Sequence, residues 1–169
     1  MLPLQNFVDK VSVVPTAWLN EVDNIRALKA SKLVQGVRSN TIIAADDTEL
    51  IFPVVPAGVW RVEAFLQFQG SVTGTQGFQA GIFSPGSGSQ VLHYHGIVNS
   101  APIGDVLSFG INPLVQFGTI ATAGTDFVHL DTNFATGGGK ISLQWSQKTT
   151  SANATLLNTF SWMIATRLI

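Results

Sequence analysis

The sequence feature that most constrains the fold is a long alternation of apolar and polar residues between Gly58 and Gly70. From Trp60 onward every second residue is apolar, and the residues between are polar except for Phe65. A period of two over this length indicates an extended strand with one buried face and one wetter face. The apolar positions are Trp60, Val62, Ala64, Leu66 and Phe68. A single strand cannot bury such a row alone, so the remaining chain must supply further strands.

Shorter strand-like segments follow down to Ile169, separated by clusters of Gly, Pro, Ser and Asn. This spacing, without helical intervals, is typical of an all-β domain. The predicted strands are 41–45, 48–54, 58–70, 78–82, 90–98, 106–111, 114–121, 127–134, 140–147 and 155–169. Asp46 and Asp47 are assigned to a turn, and Pro53 and Pro56 to an edge or a loop. We predict an antiparallel jelly-roll β-sandwich over residues 36–169.

Residues 1–35 form a different kind of segment. Pro3 and Pro15 favour an irregular, extended arm over residues 1–15, because proline fixes φ and removes a backbone donor. Apolar residues at three- and four-residue steps then predict a helix over residues 17–33, with Thr16 as its N-cap. The stripe comprises Trp18, Leu19, Val22, Ile25 and Leu28. It could pack on its own β domain, pair with copies of itself or dock to another protein. Residues 36–40 are predicted to be a hinge.

The composition argues against several classes of partner. Only 11% of the residues are charged, compared with about 25% in typical soluble domains. A net charge of −1 gives no long-range attraction to nucleic acid or to an anionic membrane, so neither partner is expected. No apolar run reaches the roughly 18 residues of a membrane span, and the start does not resemble a signal peptide. The lack of cysteine excludes disulfides, thiol nucleophiles and Cys-ligated zinc.

Histidines offer the best candidates for a polar site. His93 and His95 are two residues apart on one predicted strand and therefore share a face, and His129 and Asp131 have the same relation. Such pairs could begin a metal site if they met. The favoured interpretation is that they make hydrogen bonds at a sandwich surface or a subunit interface.

The remaining candidates indicate structure more than chemistry. Asp46, Asp47 and Glu49 form the one acidic cluster of the sequence, and solvated charge in a turn is a more common role for such a cluster than calcium binding. No catalytic constellation is present, so we predict no enzyme, no metal and no cofactor. Among the tryptophans we expect three to be buried in the sandwich and Trp18 to belong to the arm; the three are Trp60, Trp145 and Trp162.

The opening LPLQNFVDKVSVVPTAWLNEVDN resembles the N-terminal segment of many tailed-bacteriophage virion proteins. The β portion is similar in type to jelly-roll domains of phage fibres and decoration proteins. The resemblance implies a homotrimer located in the virion, with the arm attached to a capsid, neck or tail protein and the β domain projecting outward. The chain lacks a long shaft, which favours a short appendage on the capsid or neck.

Two sets of residues carry this hypothesis. An extended apolar arm gains by adding to a groove or sheet edge of another protein, which assigns virion attachment to its apolar residues. These are Leu2, Leu4, Phe7, Val8, Val13 and Val14. The helix stripe named above is assigned to trimerisation. The alternative is a tail-associated receptor-binding adhesin that recognises a host surface glycan through loops such as 84–89 and 149–154.

Overall fold

The structure, a computed structural model, describes residues 27–72, 76–122 and 126–169. The predictions for the arm and for most of the helix stripe therefore lie outside the described residues. They concern Leu2, Leu4, Phe7, Val8, Val13, Val14, Trp18, Leu19, Val22 and Ile25. Within the described ranges there is no helix that could cross a membrane.

Every regular element of the described residues is a β-strand. In chain order they are β1 (Ala27–Ser31), β2 (Gly36–Arg38), β3 (Ala45–Val55), β4 (Gly58–Gly70), β5 (Phe78–Phe83), β6 (Gln90–Val98), β7 (Ala101–Gly110), β8 (Val115–Phe117), β9 (Asp126–Thr136), β10 (Gly139–Ser146), β11 (Thr155–Leu157) and β12 (Trp162–Arg167).

The strands form two antiparallel sheets that face each other across one core. The larger sheet has the order β1-β12-β4-β9-β6-β7, with β11 beside the far end of β4 and β2 beside β11. The smaller sheet has the order β3-β10-β5-β8. Phe68 of the larger sheet stacks on Phe78 of the smaller sheet, with ring centroids 4.1 Å apart. The chain is therefore a β-sandwich, as its apolar periodicity predicts.

Strand β4 has the bounds that its alternation predicts and is central to the larger sheet. It pairs with β9 along eleven positions, from Gly58 opposite Thr136 to Phe68 opposite Asp126. Its inward apolar row is buried along its whole length, including Trp60, which is 2% exposed. The outward residues of β4 are consequently fixed in register with those of β9 and β12.

The predicted helix is wrong at its C-terminal end. Residues Ala27–Ser31 form β1, which pairs with β12 and places Leu28 opposite Ala165. Leu28 and Ala30 pack against the core while Lys29 faces outward, so period-two burial prevails over the apparent helical stripe. Leu28 therefore does not belong to a trimerising helix, and the sheet begins upstream of the boundary predicted at residue 36.

Two other local predictions are also wrong. Gly36–Arg38 is not a hinge but strand β2, paired with β11. The predicted turn at Asp46 and Asp47 lies inside β3, where the pairing with β10 shifts register and forms a bulge. The bulge lies between Asp46 and Ile51 and includes Asp47, and its extra residues explain why the sequence pattern predicts a turn at this point. Pro53 lies in β3 at the edge of the smaller sheet, which confirms its predicted edge position.

The C-terminal segment forms two strands in place of the single predicted one. In β12 the buried side chains are Met163 and Ala165, so Trp162 and Ile164 point outward. Trp162 is half-buried and does not belong to the core, contrary to the prediction. Both faces of this strand carry apolar residues, and periodicity alone therefore selects the wrong face. Trp145 is buried as predicted.

Candidate functional site

The candidate site lies on the outer face of the larger sheet, the side turned away from the core. Cross-strand register places His95 of β6, His129 of β9, Phe65 of β4 and Trp162 of β12 side by side. We call these four residues the ring row. Phe65 is the residue that interrupts the polar positions of β4 in the sequence, and this interruption is the sequence feature that marks the row.

The rings of the row contact one another. The ring centroids of His95 and His129 are 5.0 Å apart, and those of Phe65 and Trp162 are 6.2 Å apart and stacked. The ring of His129 meets that of Trp162 edge-on at 6.2 Å, and Phe127 stacks on Phe65 at 5.4 Å. His129, Phe65, Trp162 and Phe127 are half-buried, which leaves part of their apolar surface in contact with solvent.

A charged cluster lies beside the ring row. Arg61 donates to both carboxylate oxygens of Asp131, at 3.2 and 3.0 Å, and to Oε1 of Glu63 at 3.0 Å. The hydrogen bond and the charge of Asp131, with the charge of Glu63, raise the pKa of Arg61. The three side chains are between 29% and 46% exposed, so solvent screening keeps their effect on stability small.

A cleft of about 570 Å³ opens between this cluster and the histidines. Its wall includes the four candidate residues of the sequence analysis, which lie on two neighbouring strands. His93 of β6 lies opposite Asp131 of β9, and His95 of β6 lies opposite His129 of β9. The structure therefore brings all four candidates together on one face. Nδ1 of His95 also lies 3.5 Å from Oδ1 of Asp105, which reaches across from β7.

The surroundings of His129 disfavour its protonated form. Burial lowers the pKa of His129, and the charge of the neighbouring His95 lowers it further, against the opposing effect of Glu63 and Asp131. A neutral imidazole can both donate and accept a hydrogen bond. In the described part of the chain, no group of three His, Asp or Glu side chains is arranged to hold a metal ion.

The acidic cluster proves to be structural. Asp47 is 4% exposed, so the prediction of solvated charge is wrong for this residue. Nζ of Lys32 donates to Oδ2 of Asp47 at 2.8 Å and to Oε2 of Glu49 at 3.1 Å. Nε1 of Trp145 donates to the same Asp47 oxygen at 3.0 Å. These bonds fasten the segment after β1 to β3.

Asp46 is held by a separate set of donors on β10. It pairs with Lys140 and accepts hydrogen bonds from Ser142 at 2.7 Å and Gln144 at 3.0 Å. The carboxylates of Asp46, Asp47 and Glu49 are thus all engaged by donors of the chain itself. This arrangement fastens strands together and gives no support to the calcium alternative.

The loops considered for glycan recognition carry no aromatic residue. Loop 84–89 is tied down by Asn112, whose Oδ1 accepts hydrogen bonds from the backbone of Ser84 at 3.2 Å and the hydroxyl of Ser87 at 3.2 Å. Loop 149–154 is tied down by Gln147, which donates to the carbonyl of Asn153 at 2.6 Å. Aromatic stacking on a ligand would therefore have to come from residues outside these two loops, among them the rings of the ring row.

The fold and the outer face define the chain as an antiparallel β-sandwich with a solvent-facing row of rings. Comparison with protein-family models and with curated proteins finds no match to this chain.

Proposed function

We propose that the protein is a structural component of a tailed-bacteriophage virion, a short homotrimeric fibre or decoration protein. In this proposal the N-terminal arm anchors the chain to a capsid or neck protein, and the β-sandwich is exposed. The role is non-enzymatic. The likeness of residues 1–28 to the N-terminal segments of virion proteins supports the attachment role.

The observation that carries the proposal is the composition of the outer face. Tryptophan, phenylalanine and arginine are enriched at the centres of protein interfaces, where a few such residues carry most of the binding energy. Here Trp162, Phe65 and Phe127 contact one another beside Arg61, which is already neutralised by two carboxylates. We therefore place a subunit contact of the proposed trimer on this face.

The proposed topology is a jelly roll. It is supported by the way successive strands change sheets: β3, β4 and β5 lie in the smaller, larger and smaller sheet, and β8, β9 and β10 repeat this order. Such alternation is what two interleaved Greek keys require. The β6–β7 hairpin then extends the larger sheet beyond β9.

Light scattering of the full chain tests the assembly. The proposal predicts a mass that is a multiple of three chains, and a smaller mass for Trp162→Glu, because a charge in the ring row would be buried unpaired in the contact. Thr150→Glu, in an exposed loop, is the control and should keep the wild-type mass. A monomer mass across micromolar concentrations would contradict the proposal.

Imaging of purified particles tests the location. A label on this protein should appear on the capsid or neck at positions with three-fold multiplicity. Particles without the label, or a label confined to the host cell surface, would contradict a structural role in the virion.

The second candidate function is a tail-associated adhesin for a host surface glycan, and the cleft beside the ring row favours it. Concave sites with a few convergent polar groups are typical of small-ligand binding, and the lining of this cleft includes three histidines, Arg61, Asp105 and Asp131. The ring of Trp162 meets that of His129, one of the lining residues, edge-on. A glycan array with the full chain should then show binding that Trp162→Ala removes. Phe160→Ala, which alters an exposed aromatic outside the row, should leave it intact.

A further inference from the structure

Strand β7 ends the larger sheet, and β6 is its one partner among the described residues. Its second half, residues 106–110, and Ile111, which follows the strand, contain no charged residue and no proline. Large apolar side chains are exposed there: Leu107 is 47% exposed, Phe109 69% and Ile111 70%. Val91 of β6 lies opposite Phe109 and is also partly exposed, so the apolar patch spans both strands of the hairpin.

The other sheet edges of the described residues are protected against pairing with another chain. Strand β3 carries Pro53 and a bulge, and β1 has five residues including Lys29. Strands β2 and β8 have three residues each, and β2 includes Arg38. Proline, bulges, charges and shortness are the usual devices that blunt a sheet edge. The first half of β7 has them too, in Pro102, Asp105 and a register shift. Residues 106–111 contain no proline, no charged residue and no register shift.

We propose that this half of β7 pairs antiparallel with the same segment of a second copy of the chain, about a two-fold axis at Ser108. Leu107 of each copy then lies opposite Phe109 of the other, and Val106 lies opposite Gly110. Leu107 and Phe109 share the outer face, because their partners on β6 are His93 and Val91. The contact joins the two apolar patches into one.

The segment is compatible with its own copy, and this favours a second copy of the chain as the occupant. In this register Asp105 faces Ile111 of the other copy, so no like charges meet, and every pair within 106–110 is uncharged. Cross-strand apolar pairs stabilise a sheet by about 0.2–1 kcal/mol each. The surface is small compared with the roughly 800 Å² per partner of a standard interface, so the contact depends on protein concentration. It goes beyond the proposed three-fold assembly and does not depend on it.

A cysteine cross-link tests the register directly in the full chain, which has no native cysteine. Directly opposed residues of antiparallel strands have Cα atoms about 4.5–5.5 Å apart, within the range of about 4.4–6.8 Å that a disulfide spans. Ser108→Cys should therefore give a disulfide-linked dimer on mild oxidation. Thr150→Cys, exposed in a loop away from β7, is the control and should remain mostly uncross-linked.

Light scattering of Phe109→Lys provides a second, independent test. A lysine on the edge should prevent pairing, while an exposed position leaves the melting transition close to that of the wild type. The wild-type mass should be twice the variant mass if single chains pair, and at least twice if trimers pair, because each trimer presents three copies of β7. Six chains falling to three supports both proposals; two falling to one supports this contact and contradicts the trimer. Equal masses, or equal cross-linking of the two cysteine variants, would overturn the pairing of β7.

Discussion

At the scale of single residues, Trp145 joins the core to the buried charges. Its ring is 1% exposed and contacts Phe78 in the core, and the guanidinium of Arg38 lies 4.6 Å from the ring centroid. Its indole nitrogen donates to Asp47. We predict that Trp145→Ala lowers the free energy of unfolding by about 3–5 kcal/mol, the usual cost of such a truncation in a core.

The matched control for this substitution is Phe160→Ala. Phe160 is 75% exposed and lies outside the ring row, so its loss should cost less than half as much. Urea denaturation of the two variants measures the difference in the free energy of unfolding. Equal losses would contradict the core position of Trp145.

The buried carboxylate of Asp47 should make stability depend on acid pH. Burial opposes its ionisation, but hydrogen bonds from Lys32 and from the backbone of Glu49 and Leu50, together with the charge of Lys32, hold the pKa below its usual 3.8. A lowered carboxyl pKa stabilises the fold at neutral pH, and this stability is lost as pH falls below 3.8 through the folded-state value.

Asp47→Asn tests this origin of the acid sensitivity. Removing one partner of a buried ion pair should cost about 3–5 kcal/mol at pH 7. The difference in melting temperature between the variant and the wild type should then become smaller as the pH falls, because the wild type loses the same ion pair when Asp47 is protonated. Thermal melts between pH 7 and pH 2 measure the gap, and a constant gap would show that Asp47 does not titrate with folding.

A second prediction concerns the pKa of His129, which lies beside His95 in the ring row. Burial, followed by the charge of His95, lowers the pKa of His129 from 6.5. The unfolded chain then binds more protons in this range, so the contribution to stability is lost as pH falls below 6.5 through the folded-state value. Replacing His95 with Gln should raise the pKa of His129 towards 6.5.

An NMR titration of the imidazole signals measures this shift. His93→Gln is the control, because His93 shares the strand and the face of His95 but is not among the main causes of the lowered pKa of His129. It should leave the titration of His129 unchanged. If the pKa of His129 stayed the same in His95→Gln, the charge of His95 would have no influence on it, and the prediction would be contradicted.

At the scale of elements, the close approach of β6 to β9 depends on Gly96. A Cβ at this position would lie 2.1 Å from the carbonyl oxygen of Phe127, a backbone atom that cannot rotate away. Gly96→Ala should therefore cost at least about 1–3 kcal/mol, the range for overpacking. Gly104→Ala is the control on the neighbouring strand, where a Cβ would meet nothing within 4 Å. Equal melting temperatures for the two variants would show that the β6–β9 contact is loose.

Some strands can be predicted from the sequence and others cannot. Strand β4 is predictable with its correct bounds because polar and apolar residues alternate from Trp60 to Gln69, with Phe65 as the exception, and glycines bracket the segment at 58 and 70. Strand β12 is not, because apolar residues on both faces make its inward side ambiguous. Strand β1 is short, and its pairing with β12, distant in sequence, decides against the local helical pattern.

The candidate site is predictable in part for the same reason. Strand periodicity correctly places His93 with His95, and His129 with Asp131, but the meeting of the two pairs depends on the β6–β9 register. The burial of Asp47 depends on Lys32, fifteen residues away in sequence and assigned there to a helix. Neither pairing follows from the spacing along the chain.

At the scale of the whole molecule, the sandwich is the described body of the chain, and attachment to the virion is the role that we propose for residues 1–28. The described strands form one continuous core between two sheets, with Trp60, Leu66 and Leu143 among its buried members. Pro3 and Pro15 interrupt a segment that is rich in apolar residues, and this sequence pattern is the reason for proposing that the segment binds a groove or sheet edge of another protein.

Deletion of residues 1–14 tests this division most directly. The account predicts that the truncated protein keeps a cooperative melting transition near that of the full chain but is absent from assembled particles. Quantitative immunoblotting of purified virions measures its occupancy, with the full chain as reference. If the truncated protein were found on particles at wild-type occupancy, or if its sandwich no longer melted cooperatively, the attachment role assigned to the arm would be contradicted.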